Sequence, residues 1–305
     1  MTELLQQILK ECAPYTKEGK LADYIPELTK ANPDDFGICV ISEENEVSVA
    51  GDYEKRFTIQ SASKPLLLLL ALMDNGIETV KAHVGVEATG KPFDAINYSA
   101  QELLRENINP MVNMGAMVLC NLIKGQNYEE KFDRLLELTR KVTGNPDIGL
   151  DMDVYLSEKR TGNKNRALAY LLKTYGMLED EVEELLDCYF KSCSIKVNCM
   201  DLARIGLILA NHGINPATGE ELFPAEYAKY VNAILTTCGM YDGSGEFAVK
   251  VGVPAKSGVG GGIMAVVPNR MGIGIFSPKI DSKGNSVAGI KALEQLSKKL
   301  DLSIF

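Results

Sequence analysis

The spacing of apolar residues divides the chain into two kinds of segment. Short apolar or alternating runs near both ends predict β-strands at 36–42, 46–50, 247–251, 254–256, 262–267 and 271–277. Apolar residues at helical spacing predict terminal helices at 2–13 and 287–300, and a short helix is predicted within 19–30. The same spacing recurs from Pro65 to about Tyr230, with helices predicted at 129–143, 166–175, 179–193 and 200–211. The pattern therefore predicts a helical middle between two sheet-forming ends.

Strands at both ends with helices between them are typical of the α+β class. We expect residues 1–60 and 240–305 to form one domain, an antiparallel sheet flanked by terminal helices. Residues 61–239 would form a second, mainly helical domain. Because clefts between domains are preferred ligand sites, we expect the active site at this interface.

The pentapeptide QSASK at 60–64 has the clearest chemical potential, because it precedes a wholly apolar run at 65–73. A helix without a polar face should be enclosed by the core, and Pro65 is tolerated only in its first turn. Ser61 and Lys64 would then lie one turn apart on the same face. A buried lysine with a lowered pKa can accept a serine proton, so the pair is predicted to be a nucleophile and its base. The alternative is a helix-capping serine followed by a surface lysine.

Composition limits the possible partners. The 305 residues are 46% hydrophobic and carry a formal net charge of -9. An acidic chain with a pI near 5.0 is not attracted over distance to nucleic acid or to an anionic membrane. The sequence has no basic region followed by an apolar signal core, and no apolar run is long enough to span a bilayer. We therefore expect a cytoplasmic protein that acts on a small molecule.

Several kinds of chemistry lack their usual residues. The two histidines, His83 and His212, are not at metal-ligand spacing, which argues against a zinc site and a serine-histidine-aspartate triad. The seven cysteines form no C-x-x-C pair, so reduced thiols are expected. No glycine-rich phosphate-binding loop occurs. The sequence thus predicts neither a metal nor a cofactor.

Longer motifs carry a resemblance to known enzymes. Lys256-Ser257-Gly258, together with S-x-x-K, is similar to the serine-reactive β-lactamase and penicillin-binding-protein class, whose last strand carries K-[ST]-G. The stretches NPMVNMGA at 109–116, CGMYD at 238–242 and PAKSGVGGG at 254–262 more closely resemble motifs of the serine-dependent glutaminase family. This resemblance runs from residue 24 to about residue 289.

The resemblance implies a β-lactamase-like fold and a cytosolic amidohydrolase that converts L-glutamine and water to L-glutamate and ammonia without a cofactor. It also implies a homo-oligomer, either a dimer or a tetramer. By similarity, Ser61 is the nucleophile and Lys64 its base, the amides of Ser61 and Val259 form the oxyanion hole, and Tyr189 or Tyr241 relays the proton. The substrate-binding residues carried over are Tyr24, Ser61, Asn113, Glu158, Asn165, Tyr189, Tyr241 and Val259. One departure is Met114, which stands where the family typically has alanine and affects the packing behind Asn113.

The binding residues have a chemical rationale. A free amino acid presents an ammonium, which Glu158 can pair, and a carboxylate, to which Asn113 and Asn165 can donate. Without the resemblance, the residues alone favour a solvated loop acid for Glu158 and turn residues for the asparagines. Two other functions stay open, a serine hydrolase of β-lactams or peptides and a non-catalytic binding protein on the same fold.

Overall fold

An antiparallel sheet of five strands is built from the two ends of the chain. The computed structural model describes residues 1–98, 108–178 and 181–305. Its strands, numbered along the chain, are β1 Gly37–Ser42, β2 Val47–Gly51, β3 Phe57–Thr58, β4 Gly149–Leu150, β5 Ile195–Val197, β6 Ala255–Ser257, β7 Gly262–Val267 and β8 Met271–Phe276. The large sheet has the order β2-β1-β8-β7-β6 with antiparallel neighbours, and β3-β5-β4 form a second, small sheet.

Helices cover both faces of the large sheet. The α-helices in the described ranges are α1 Thr2–Cys12, α2 Lys64–Lys81, α3 Asn113–Leu122, α4 Tyr128–Thr143, α5 Met152–Thr161, α6 Asn163–Thr174, α7 Val182–Cys193, α8 Cys199–Ala210, α9 Ala225–Cys238, α10 Ser244–Lys250 and α11 Val287–Leu300. Helix α8 packs against β1, β7 and β8, and α1 packs against β2 and α11. Among the described residues, no helix combines the length and apolarity needed to cross a bilayer.

The large sheet separates two hydrophobic cores. Along β1, Ile38 and Val40 belong to the core that contains α1 and α11, whereas Cys39 and Ile41 belong to the core of the helical middle. Successive side chains of a strand point to opposite faces of its sheet. A sheet buried on both faces therefore needs central strands that are apolar at every position, and β7 and β8 contain no polar side chain.

Two glycines of β8 let α8 approach the sheet closely. A Cβ atom at Gly272 would lie 2.0 Å from the carbonyl oxygen of Ala203, and one at Gly274 would lie 2.0 Å from that of Cys199. Both distances are far below van der Waals contact with rigid backbone. The glycines thus fix how closely the helical middle is attached to the sheet.

The α+β prediction is confirmed, and the predicted bounds of β7 and α11 match the structure. The predicted strand at 247–251 is wrong, because these residues lie mainly in α10. The sequence is apolar at every second position, Phe247, Val249 and Val251, as in a strand, but only Phe247 and Val251 are buried, whereas Val249 is 88% exposed. Residues four apart also share a helix face, so five residues cannot distinguish the two periods.

Other predicted elements differ from the structure in extent. The short helix predicted within 19–30 is a 3-10 helix, Pro26–Lys30, that begins after Tyr24 and Ile25. The predicted helix at 179–193 corresponds to α7, and its first two predicted residues, 179 and 180, lie outside the described residues. The small sheet was not predicted. The division into two domains stays a prediction, and the two separate cores are consistent with it.

Candidate active site

Ser61 and Lys64 lie on a rigid turn at the start of α2. Residues Gln60–Ser63 form a 3-10 turn that continues into the helix, and Pro65 occupies the first helical turn, where its missing N–H costs nothing. Lys64 Nζ lies 2.7 Å from Ser61 Oγ, and both side chains are buried. The predicted geometry of this pair is confirmed. Every residue from Leu66 to Leu72 is buried, although Met73, at the end of the predicted apolar run, is exposed.

Burial prepares Lys64 to act as a base. The pKa of Lys64 is lowered chiefly by desolvation of its ammonium, against opposing contributions from Cys193 and Glu158. A lowered pKa increases the proportion of the neutral amine, whose lone pair can accept a proton from Ser61. The alternative of a surface lysine is wrong, since Lys64 has no exposed surface.

Tyr241 and β6 lie next to the turn that carries Ser61 and Lys64. Tyr241 has a left-handed φ of 56°, a conformation that is unusual for a bulky side chain. Its hydroxyl donates to the carbonyl of Ser257 at 3.0 Å. Lys256 Nζ donates to the same carbonyl at 2.7 Å and lies 4.2 Å from the centre of the Tyr241 ring. Burial raises the pKa of Tyr241, so the phenol stays protonated.

A cavity of about 280 Å³ opens in front of Ser61. Seven of the predicted site residues line it, namely Tyr24, Ser61, Asn113, Glu158, Asn165, Tyr189 and Val259. The remaining two are adjacent to it, because Lys64 contacts Ser61, and Tyr241 packs against Phe93 and Val259, which line the cavity. The structure therefore brings all nine residues together from segments far apart in sequence.

Three helices supply the polar wall opposite the nucleophile. Asn113 is the first residue of α3, Glu158 lies on α5, and Asn165 lies in the first turn of α6. The side-chain amide of Asn113 donates to the Asn165 oxygen at 2.9 Å. Met114, the departure from the family pattern, is buried in the hydrophobic core behind Asn113. The interpretation of these residues as loop and turn residues is wrong.

Glu158 is a buried acid with an unused hydrogen-bonding atom. Burial raises its pKa to about 8, and nearby Lys64 and a hydrogen bond from Gln60 oppose that rise. Glu158 Oε2 and Asn113 Oδ1 have no hydrogen-bond partner among the described residues. Unsatisfied buried acceptors are costly, so both atoms are suited to a ligand that carries N–H donors.

The two remaining tyrosines lie at different depths. Tyr189, on α7, is buried, and its hydroxyl accepts a hydrogen bond from Lys64 Nζ at 3.4 Å. Burial raises the pKa of Tyr189 well above its usual value. Tyr24 is 52% exposed and lies at the mouth of the cavity.

Sequence reasoning missed several residues that line the cavity, among them Gln60, Asp94, Lys164 and Cys193. Gln60 could have been found from its position beside the nucleophile. Cys193 follows Tyr189 by four residues and so shares its helix face. Asp94 and Lys164 form an ion pair with 2.6 Å between Oδ2 and Nζ, for which the sequence gives no local signal.

A buried serine-lysine turn facing a K-S-G strand, on an antiparallel sheet with a helical middle, is the arrangement of serine-reactive hydrolases with a β-lactamase-like fold. Within the described ranges, no cluster of three or more histidine, cysteine or acidic side chains is arranged to hold a metal ion. Comparison with known proteins identifies the family within this class. The glutaminase family model matches residues 19–305, so the chain belongs to the glutaminase family.

Relatives match over the full length of the chain. Glutaminase 2 of Clostridium perfringens is 53% identical over 305 residues, covering 100% of both chains. A glutaminase of Clostridioides difficile is 52% identical over 99% of this chain and 98% of its own. The solved structure of a Bacillus subtilis glutaminase in covalent complex with 5-oxo-L-norleucine has a TM-score of 0.91 and 38% identity, covering 100% of this chain and 99% of its own. That complex formed by reaction with 6-diazo-5-oxo-L-norleucine.

Proposed function

We propose that this chain hydrolyses L-glutamine to L-glutamate and ammonia through an acyl-enzyme on Ser61. The observation that carries the proposal is the 2.7 Å contact of Ser61 Oγ with a buried lysine, in a cavity that also holds a buried acid with a free oxygen. Membership of the glutaminase family supports the reaction class.

The first half-reaction forms the acyl-enzyme. Lys64 takes the Ser61 proton as the Oγ–carbon bond forms, and the amides of Ser61 and Val259 stabilise the oxyanion. When the carbon–nitrogen bond breaks, the Lys64 proton passes to the leaving ammonia. Tyr189 or Tyr241 relays this proton: the Tyr189 hydroxyl accepts from Lys64 Nζ at 3.4 Å, and the Tyr241 hydroxyl donates to the Ser257 carbonyl at 3.0 Å.

The second half-reaction repeats the proton transfers with water. Lys64 accepts a proton from a water molecule while the water oxygen attacks the ester carbon. The Oγ–carbon bond then breaks, Ser61 regains the proton, and glutamate leaves. Neither half-reaction requires a metal or a redox cofactor for its balance of atoms and electrons.

The polar wall recognises the amino-acid end of the substrate. Glu158 accepts N–H bonds from the α-ammonium, and the side-chain amides of Asn113 and Asn165 orient the α-carboxylate. Asparagine is one methylene shorter, so it cannot place its amide at Ser61 while its ammonium reaches Glu158. A misplacement of this size costs rate steeply.

The test is release of ammonia and glutamate from glutamine by the purified protein, with asparagine and a labelled penicillin as comparison substrates. We expect turnover of glutamine, a much lower kcat/KM for asparagine and no acylation by penicillin. Equal kcat/KM for glutamine and asparagine would contradict the proposed role of the polar wall. Acylation by penicillin without glutamine turnover would favour the β-lactam hydrolase instead.

We further propose a cytoplasmic location and a homo-oligomer of two or four subunits. All seven cysteines are buried free thiols, as expected for a chain that folds in a reducing compartment. Cell fractionation tests the location. Light scattering of the purified protein tests the assembly, and a monomer at assay concentration would contradict it.

A further inference from the structure

Tyr241 has a backbone conformation that its own side chain disfavours. Its φ of 56° lies in the left-handed region, which glycine adopts readily and a bulky side chain adopts rarely. Such a conformation persists only where the surrounding structure fixes it. The contacts that fix the Tyr241 backbone therefore determine where its hydroxyl lies, and the proposed reaction names that hydroxyl as one of two candidate proton relays.

The Tyr241 side chain is enclosed by groups of the site. Its ring packs against Phe93 with 4.5 Å between centroids, and Lys256 Nζ lies 4.2 Å from the ring centre. A Cβ atom at Gly284 would lie 3.3 Å from the ring edge, and the hydroxyl donates to the Ser257 carbonyl at 3.0 Å. A change of backbone conformation at Tyr241 would move the ring out of these contacts and displace the hydroxyl.

Ser244, a buried residue to which the reaction gives no role, bridges the backbone around Tyr241. Its hydroxyl donates to the Tyr241 carbonyl at 2.8 Å and accepts from the Met240 N–H at 3.0 Å. A serine hydroxyl has one proton and two lone pairs, so it can make both bonds at once. Met240 is 1% exposed, so loss of the hydroxyl would leave its N–H buried without that partner.

Asn285 supports the same turn from a distant part of the chain. Its side-chain amide donates to the Met240 carbonyl at 3.2 Å, and the Gly243 N–H donates to the same oxygen at 3.0 Å. Because that carbonyl has two donors, the contact of Asn285 is partly redundant. The Ser244 hydroxyl, in contrast, joins two backbone groups on either side of the Tyr241 Cα atom.

We infer that Ser244 is a positioning residue: by bridging Met240 and Tyr241 it holds the left-handed turn and so keeps the Tyr241 hydroxyl in place for the reaction. Asn285 contributes less to the same task. Ser244 is not among the described residues that line the cavity in front of Ser61, so it acts through Tyr241 and not by contact with the substrate. This inference rests on the proposed acyl-enzyme function with Tyr241 as the relay.

The test measures kcat and KM for glutamine in variants of the turn. Ser244→Ala leaves the Met240 N–H without its partner, which favours relaxation of the turn, and we expect kcat to fall about tenfold with a much smaller change in KM. Ser244→Cys keeps a weaker donor and acceptor and should recover part of the loss. Asn285→Ala should lower kcat about threefold, because the Gly243 N–H still pairs the Met240 carbonyl.

The matched control is Ser297→Ala. It also removes a buried serine hydroxyl that donates to a backbone carbonyl, that of Val251 at 2.6 Å, but it lies on α11 away from the cavity. Both kinetic constants should stay at their wild-type values in this variant. Thermal unfolding checks that each variant is folded, and if Ser244→Ala is not, Ser244→Cys and Asn285→Ala provide the same comparison.

A double-mutant cycle separates positioning from general packing. In a Tyr241→Phe background there is no hydroxyl to place, so Ser244→Ala and Asn285→Ala should cause no further loss of kcat. If Tyr241→Phe turns over too slowly, the rate of Ser61 labelling by 6-diazo-5-oxo-L-norleucine replaces kcat.

Three results would overturn the inference. The first is a wild-type kcat in Ser244→Ala, and the second is a Ser244→Ala loss that persists in full in the Tyr241→Phe background. The third is a Tyr241→Phe variant as active as wild type, which would assign the relay to Tyr189. Each result, in a wild-type enzyme that hydrolyses glutamine and is labelled at Ser61, rejects the role of Ser244 alone. Failure of wild-type turnover or of Ser61 labelling rejects the proposed function itself.

Discussion

The two sides of the cavity differ in how completely their polar groups are paired. On the nucleophile side, Ser61, Lys64 and Tyr241 already contact one another or backbone carbonyls. On the opposite side, Glu158 and Asn113 each retain an acceptor without a partner among the described residues. The reacting groups are therefore preorganised, whereas the binding groups are completed by a ligand.

This difference in hydrogen-bond pairing predicts that substitutions on the two sides of the cavity affect different kinetic constants. Loss of a preorganised reacting group lowers kcat, because its interactions are made in the transition state. Loss of a binding group that acts equally on bound substrate and transition state raises KM. The following variants are ordered from the largest expected effect to the smallest.

Lys64→Arg should lower kcat by about 10³-fold or more, since arginine keeps the charge but cannot be deprotonated. The measurement is steady-state ammonia release, with thermal unfolding to check that the buried site tolerates the change. Lys81→Arg, at the exposed end of the same helix, is the control. Activity above a tenth of wild type would show that Lys64 serves only as a fixed charge and that one of the tyrosines is the base.

Glu158→Gln should raise KM for glutamine about thirtyfold or more, with a smaller change in kcat, because it removes a buried charged contact to the ammonium. Hydrolysis of an analogue without the α-amine should change little. Glu183→Gln, on an exposed acid of α7 paired with Arg166, is the matched control. A loss in kcat alone would instead identify Glu158 as an acid or base.

The pH dependence of KM should distinguish the binding side of the cavity from the nucleophile side. With its pKa raised to about 8, Glu158 is mostly protonated in the empty site near neutral pH and must lose that proton to pair an ammonium. KM should therefore fall as pH rises from 6 towards 8, by up to about tenfold per pH unit. In Glu158→Gln this dependence should vanish, and a slope retained in the mutant would assign it to another group.

Tyr24→Phe should have the smallest effect, a rise in KM of about tenfold or less. Although the residue is 52% exposed, burial of its hydroxyl raises the pKa of Tyr24, and the change removes only one neutral hydrogen-bonding group from the cavity. Tyr170→Phe, on the exposed surface of α6, serves as the control. A loss of kcat beyond a hundredfold would place Tyr24 among the reacting groups.

Local spacing predicted the nucleophile side well. An apolar helix with proline in its first turn allows few geometries for residues three apart, so the contact between Ser61 and Lys64 followed from the sequence. The strand predicted at 247–251 is wrong because the alternation there covers only five residues. Lys250 and Glu246 instead form an ion pair at helical spacing.

The binding side could not be predicted from local pattern. Glu158 lies in a charged run, and its burial depends on tertiary packing between α5, α7 and the Pro26–Lys30 segment. Only the resemblance to a family placed it near Ser61. Cys193 was missed for the same reason, because an isolated buried thiol has no sequence signature that distinguishes a cavity wall from a core.

The most direct test of the account is the site of covalent labelling by 6-diazo-5-oxo-L-norleucine, the reagent that forms a covalent complex with the Bacillus subtilis glutaminase. The labelled protein is digested and mapped by mass spectrometry, with glutamine as a competitor. The account predicts one adduct, on the peptide that contains Ser61, slowed by glutamine and absent from Ser61→Ala. An adduct on Cys193, or one that persists in Ser61→Ala, would contradict the assignment of Ser61 as the nucleophile.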